Sequence, residues 1–220
     1  MNVVNTLKKI FCIVADYREI SPLLQTLSFK QINHNLYSHI GPNYHLDLYI
    51  VHVWGSMAML EALQNYPRSS TDYDLWINLG FAGACSPKIP LGKCYNINQI
   101  GKLSNDSPPR LTEDLHYVLE SLPDSLPQNS LVTSPTTYHY GFHETFKLVD
   151  MEGYAIASEA AYYEIPCAFL KIVSDYTIPG DNPLDKRAQK LSENLTQILL
   201  KALPELIKTA TPPKVLLPCL

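Results

Sequence analysis

The chain has 220 residues, a length that suits one large α/β domain and allows a full hydrophobic core. It is 46% hydrophobic and 17% charged with a net charge of −4, an ordinary composition that leaves no basic footprint for nucleic acid. No apolar run reaches the roughly 18 residues a membrane span needs. The five cysteines (Cys12, Cys85, Cys94, Cys167 and Cys219) have neither zinc-site nor Cys-x-x-Cys spacing, so reduced thiols acting as small apolar residues are expected.

At the N-terminus, Lys8 and Lys9 precede a short apolar run, but Asp16, Arg18 and Glu19 follow at once and no cleavage site is evident. The segment reads as the first strand of a cytoplasmic protein, over Ile10–Ala15, with a short amphipathic helix over Arg18–Leu27. Strands at Asn35–Ile40 and Leu46–Val53 flank Gly41-Pro42-Asn43, a hairpin signal. Gly55–Tyr66 has helical periodicity and stops at Pro67. Leu75–Leu79 is a buried strand that runs into a glycine turn at Gly80–Ala84, and Gly92–Ile100 is another strand. A polar, proline-rich loop over Leu103–Pro109 precedes a helix expected from Thr112 to Leu122. Ser130–Thr133 is a strand, Met151–Tyr163 a helix, Cys167–Ser174 a strand and Pro183–Leu206 a long terminal helix. Residues 211–220 carry three prolines and read as a loosely held tail after a single domain spanning 1–210. Strands alternating with helices predict one three-layer α/β domain, a central mixed sheet flanked by helices.

Two acids stand out in apolar surroundings. Glu152 opens a helical segment, and Asp175 ends the strand-like run Leu170–Ser174. An acid at a helix start and an acid at a strand end can face the crevice where open α/β sheets bind ligands. At a sheet edge Asp175 would be partly desolvated, which suits a general acid; as an N-cap it would have only a structural role. Glu19, just beyond the first strand, is by itself an ordinary helix-surface glutamate. The glycines at 80 and 83 allow a backbone to approach a ligand, but their spacing fits neither a dinucleotide nor a triphosphate loop. Tyr138, Tyr140 and Phe142 offer rings to a planar base or simply pack. The seven histidines lack metal-site spacing, so neither metal nor cofactor is expected.

Together these blocks resemble the nucleoside phosphorylase/nucleosidase family, most of all its methylthioadenosine/S-adenosylhomocysteine nucleosidase and futalosine hydrolase branch. Ile13-Val14-Ala15 with Glu19 is similar to the opening strand and acidic helix of the family, and Asn78–Gly83 to its N-x-G-x-A-G block. Val149–Ala157 is similar to its V-x-M-E-x-x-A-I-A block, and Ser174-Asp175 to its closing Ser-Asp pair. The last two, at the correct mutual spacing, are the specific ones, and the likeness runs from about Ile10 to the terminal helix.

The resemblance implies catalytic roles for Asp175 (proton donor to N7 of the purine), Ser174 (orienting that carboxyl) and Glu19 (base for the attacking water). It implies substrate contacts from Met151 and Glu152 to the ribose, from Tyr138 and His139 to the base, and from Ala82, Gly83 and Lys171. Lys171 stands where the family has an arginine, which keeps the charge but not the bidentate fork. A homodimer is implied, and Met57, Met59, Leu60 and Leu63 are candidates for its interface; core packing is the alternative for these side chains. The approach Leu75–Asn78 lacks the arginine that phosphorylases place there, so hydrolysis is expected rather than phosphorolysis. Asp16 replaces an apolar residue, Pro135-Thr136 replaces Gly-Asp, and the Gly101–Pro109 loop is short. These departures favour a larger, polar 5′ substituent of futalosine type, an intermediate of a menaquinone route. Lys102 and Arg110, which flank the short loop, are candidate cations for its carboxylate, with solvated surface charge as the alternative. The alternatives are a methylthioadenosine/S-adenosylhomocysteine nucleosidase, a phosphorylase and a non-catalytic nucleoside-binding module.

Overall fold

The first strand shows how the fold is built. In β1 (Lys8–Val14) side chains alternate between two cores, Phe11 and Ile13 on one side, Ile10, Cys12 and Val14 on the other. That alternation is what a strand covered on both faces requires. The computed structural model describes residues 7–66, 72–112, 116–119, 126–180, 184–209 and 211–216. After β1 come a single 3₁₀ turn (Tyr17–Glu19), α1 (Ser21–Thr26), β2 (Lys30–Gln31), β3 (Leu36–Ile40), β4 (Tyr44–Ile50) and α2 (Ser56–Gln64). There follow β5 (Leu75–Ala84), β6 (Cys94–Lys102), β7 (His116–Val118), β8 (Gln128–Thr133) and β9 (Leu148–Asp150). The chain ends with α3 (Gly153–Tyr162), β10 (Cys167–Tyr176), α4 (Leu184–Thr209) and β11 (Lys214–Leu216).

The strands form one mixed sheet in the order β11-β7-β6-β8-β9-β5-β1-β4-β3-β2. β10 lies off this path and pairs with both β5 and β6. β6, β8, β9, β5 and β10 therefore close into a ring, with the open part of the sheet extending from β5 through β1. Closure removes edges from that part of the sheet and turns the ends of β5, β9 and β10 toward one rim. α2 and α3 cover one face, burying Met59, Leu63, Ala155, Ile156 and Ala160. α1 and α4 cover the other, where Leu191, Leu195, Leu199 and Leu203 recur every fourth residue along α4. The expected single domain with a central mixed sheet between helical layers is what is observed, with the ring as an addition.

Four local expectations are corrected. The glycine turn is no turn: Gly80 and Gly83 continue β5, paired with β10 and β9. In place of the helix expected from Thr112, Tyr117 sits in β7; residues 113–115 and 120–125 lie outside the described ones. The tail contributes β11, which pairs antiparallel with β7, so backbone pairing holds a segment whose prolines suggested otherwise. Arg18–Leu27 is not one helix but the 3₁₀ turn and α1, with Pro22 in the first turn of α1. The four described cysteines are free and buried, and Cys219 lies outside the described residues.

Candidate active site

Beyond the ends of β1, β5, β9 and β10 lies a cavity of about 240 Å³. Its placement of Glu19 begins with a cap. Asp16 caps the 3₁₀ turn by accepting from Arg18 N at 2.8 Å, and Glu19 answers by accepting from Asp16 N at 3.2 Å. Glu19 Oε2 also accepts from Ala15 N at 3.1 Å, and Oε1 from Phe81 N at 2.9 Å. The carboxyl is thus tied to β1 and β5 at once. Burial pushes its pKa up, opposed by the Lys171 ammonium and by these backbone N–H groups.

Glu152 is the N-cap residue of α3, yet its side chain does not cap that helix. It reaches across to α2, where Oε1 accepts from Gly55 N at 2.9 Å. Gly55 has φ +97°, a left-handed conformation that aims its N–H at the carboxylate with no side chain to strain. The cap of α3 comes instead from Asp150, whose Oδ2 accepts from Gly153 N at 2.9 Å. Asp150 Oδ1 accepts from Thr133 Oγ1 at 2.7 Å, and Thr133 Oγ1 in turn accepts from Tyr154 N. Lys171 Nζ lies 2.9 Å from Asp150 Oδ2, with both side chains buried. Burial, with Asp150 next in size, pushes Glu152 up to about 7.

Asp175 is aimed by an irregularity. In the β10–β5 pairing Val173 faces Ala82 and Asp175 faces Gly83, so Ser174 is the extra residue of a bulge. Bulges re-aim side chains next to active sites. The Ser174 hydroxyl stands 2.5 Å from Asp175 Oδ1 and 3.3 Å from the Ala82 carbonyl, which fixes the carboxyl against β5. An aromatic cluster borders the cavity through Tyr138. Tyr138 meets Tyr140 at 5.3 Å and Phe146 at 5.6 Å, both edge-on, and Phe146 stacks on His143 at 4.0 Å.

Nine of the ten residues expected at the site line this cavity: Asp175, Glu19 and Ser174, and Glu152, Met151, Tyr138, His139, Ala82 and Gly83. Lys171 does not. It is 2% exposed and lies beneath the floor, held by Asp150, because the missing side chain of Gly80 opposite it leaves room for an ammonium. A β-carbon at Gly80 would stand 2.8 Å from Glu19 Oε1 and 3.1 Å from Lys171 Nζ. Lys102 and Arg110 also stay away from the cavity, and Lys102 Nζ lies 5.6 Å from the centroid of the Tyr154 ring. The Gly101–Pro109 loop approaches the aromatic side, with Ser107 Oγ 3.0 Å from Tyr140 OH. Sequence reasoning missed Asp150, Thr133, Arg18 and Trp54. The Asp16-x-x-Glu19 capping box was a readable signal for the first turn. Asp150, an acid directly after the apolar pair Leu148-Val149, was a readable signal for the second.

Comparison with known proteins identifies the family. The family model of the phosphorylase superfamily matches residues 128–204, from β8 into α4. An MTAN from Chlamydia trachomatis, solved bound to MTA, is 32% identical, with a TM-score of 0.79 over 90% of this chain and 98% of that one. The chain belongs to the nucleoside phosphorylase/nucleosidase family. The same Chlamydia protein bound to adenine aligns at 33% identity and TM-score 0.77, covering 90% of this chain and 100% of its own. The 5′-methylthioadenosine/S-adenosylhomocysteine nucleosidase of Helicobacter pylori shares the fold at 14% identity, with a TM-score of 0.72 over 90% of this chain and 99% of that one. No curated protein sequence matches. Among the described residues no His, Cys, Asp and Glu cluster could hold a metal, and no helix is long and apolar enough to cross a membrane.

Proposed function

We propose that this nucleoside phosphorylase/nucleosidase family member hydrolyses the N-glycosidic bond of a 5′-modified purine nucleoside and releases the free base. The observation that carries this reading is the convergence of Glu19, Glu152 and Asp175 on one cavity, each held by a different part of the fold. Glycosidic cleavage develops positive charge on the sugar and negative charge on the leaving base. Asp175, steadied by Ser174, protonates the base at N7. Glu19 orients and deprotonates the attacking water. Glu152, with Met151, holds the ribose hydroxyls, and the carboxylates near the sugar stabilise its charge. Each proton transfer contributes roughly 10²–10⁴-fold. Tyr138 packs on the base, and backbone groups at Tyr138 and His139 read its edge.

Water is the nucleophile in this reading. The approach through β5, Leu75 to Asn78, is buried and carries no basic residue, and Arg18 is the one arginine among the described residues lining the cavity. For the 5′ group we favour a polar, futalosine-type substituent. Asp16 and Arg18 support it: both line the cavity, and their side chains pair at 2.8 Å between Nη2 and Oδ2. Like Glu19 they follow β1, and they present charge where a methylthio group would seek apolar contact. Trp54 also lines the cavity and is 63% exposed, a bare ring for a second planar group. A methylthioadenosine/S-adenosylhomocysteine nucleosidase is the second reading, favoured by the likeness to the MTA-bound Chlamydia protein.

The test is a panel of purine nucleosides assayed with and without phosphate for free base. Phosphate-independent release supports hydrolysis, and strict phosphate dependence overturns it. Futalosine should exceed methylthioadenosine in kcat/KM; a tenfold preference the other way installs the second reading. We further propose a homodimer whose contact uses Met57, 78% exposed at the start of α2. Met59 and Leu63 of the same helix are buried in the protein's own core and Leu60 packs against it, so they are not available for that contact. A monomer in sedimentation at micromolar concentration would refute the dimer.

A further inference from the structure

Lys171 and Asp150 form a buried ion pair that the reaction scheme does not use. Both side chains are within 2% of full burial; Asp150 borders the cavity, and Lys171 lies beneath it, close to Glu19 and Glu152, which also line it. Asp150 is fully engaged: Thr133 Oγ1 and Gly153 N donate to it at 2.7 and 2.9 Å, and Lys171 Nζ at 2.9 Å. A cap alone would need only the Gly153 contact, and a neutral asparagine would supply it. The aspartate brings a charge, and that charge holds an ammonium against the bare Cα face of Gly80, with Glu19 Oε1 on the same face.

We propose that Asp150 is a positioning residue: it anchors the Lys171 ammonium beneath the cavity floor, and the pair sets the charge balance in which Glu19 serves as base and Glu152 holds the ribose. The inference rests on the nucleosidase reading above for what those two acids do. Three carboxylates share one cation here. Glu152 faces Asp150 from β9, Lys171 from β10 and Glu19 from the turn after β1. Glu19 faces Lys171 and Asp16, and burial, with Glu19 adding to it, pushes the Cys12 thiol of β1 up. Asp175 lines the same cavity from β10. Lys171 feels Asp150 first, then Glu19 and Glu152, all of which favour its charged form against burial. Tethering the cation to Asp150 keeps it from collapsing onto Glu19 and weakening the base.

Asp150→Asn keeps an oxygen for Gly153 N–H and removes one negative charge. Glu19 and Glu152 still hold Lys171 in its charged form, and both acids then ionise more easily. The acidic limb of the kcat/KM–pH profile should move down by about one unit, with kcat lower by roughly tenfold or more. Asp150→Glu, which restores the charge, should return the limb toward its original position. Lys171→Met should move the limb the opposite way, because the carboxylates then repel one another unopposed. A ¹³C-carboxyl NMR titration of Glu152 reads the same shift without turnover. The proposal is overturned if folded Asp150→Asn titrates as the parent does, or, should that variant not fold, if Lys171→Met leaves the Glu152 titration unmoved. Absence of base release from every nucleoside would sink the nucleosidase reading instead, and the NMR titration would still decide the role of Asp150.

Discussion

At the scale of single residues, two of the three functional acids are held by elements other than their own, and Asp175 by its neighbour within β10. Glu19 is tied to β5 through Phe81 N, Glu152 to Gly55 at the start of α2, and Asp175 to the bulge residue Ser174. Asp175→Asn tests the acid directly. The amide preserves shape and packing but cannot donate a proton at a useful pKa. The variant should unfold at the parent's temperature and lose roughly 10²-fold or more in base release. Activity within about tenfold of the parent would remove Asp175 from that role. Gly80→Ala tests the floor. Its methyl would need the space between Glu19 Oε1 and Lys171 Nζ, approaching them to 2.8 and 3.1 Å. Both groups are buried and held, so they cannot simply swing away. The variant should lose about 1–3 kcal/mol of stability by overpacking and most of its turnover. Thermal melting with a parallel assay checks both, and a fully active alanine variant would show that the floor is not tight.

At the scale of elements, α4 shows packing that a sequence displays openly. Its leucines at 191, 195, 199 and 203 face the core between α1 and the sheet. Leu195 is fully buried, so Leu195→Ala should cost about 2–5 kcal/mol, visible as a shifted denaturant midpoint with an unchanged slope. A loss below about 1 kcal/mol would mean that the layer relaxes around the cavity. Long periodic elements of this kind were legible, and so were the strands that supply the acids. Where reading failed, the cause was pairing with distant residues. β9 has only three residues and exists because β5 and β8 flank it. Tyr117 is in a strand because β6 and β11 pair with β7, which no local pattern announces. The glycines of β5 suggested a turn, whereas their use is close approach: the neighbours that need the space, Glu19 and Lys171, are 61 and 91 positions away by residue number. Asp150 differs: an acid after Leu148-Val149 marks the position in the sequence, and only its partner, Lys171 on another strand, is out of reach of a local pattern.

At the scale of the whole molecule, the ring formed by β6, β8, β9, β5 and β10 gathers the site at one rim and buries charge beneath it. That arrangement has a thermodynamic consequence. In the folded protein Glu152 is pushed from the ordinary 4.5 up to about 7, chiefly by burial and then by Asp150. Between those values the folded state keeps a proton that the unfolded chain has already released. Stability is therefore greatest at the acidic end of the window and falls as pH rises toward 7, after which this contribution is constant. Glu19, also raised by burial, acts in the same direction. Glu152→Gln retains an oxygen for Gly55 N–H and cannot ionise. It should match the parent closely near pH 5 and exceed it near pH 8 by about 2–3 kcal/mol, while binding the ribose less well and turning over more slowly. Urea unfolding at the two pH values measures the gap directly. If the curves for parent and variant run parallel from about pH 5 to about pH 8, the folded protein does not hold Glu152 protonated through that range. A gap that opens with rising pH, joined to weaker substrate binding, would show a site that gives up stability to keep a carboxylate where the sugar needs it.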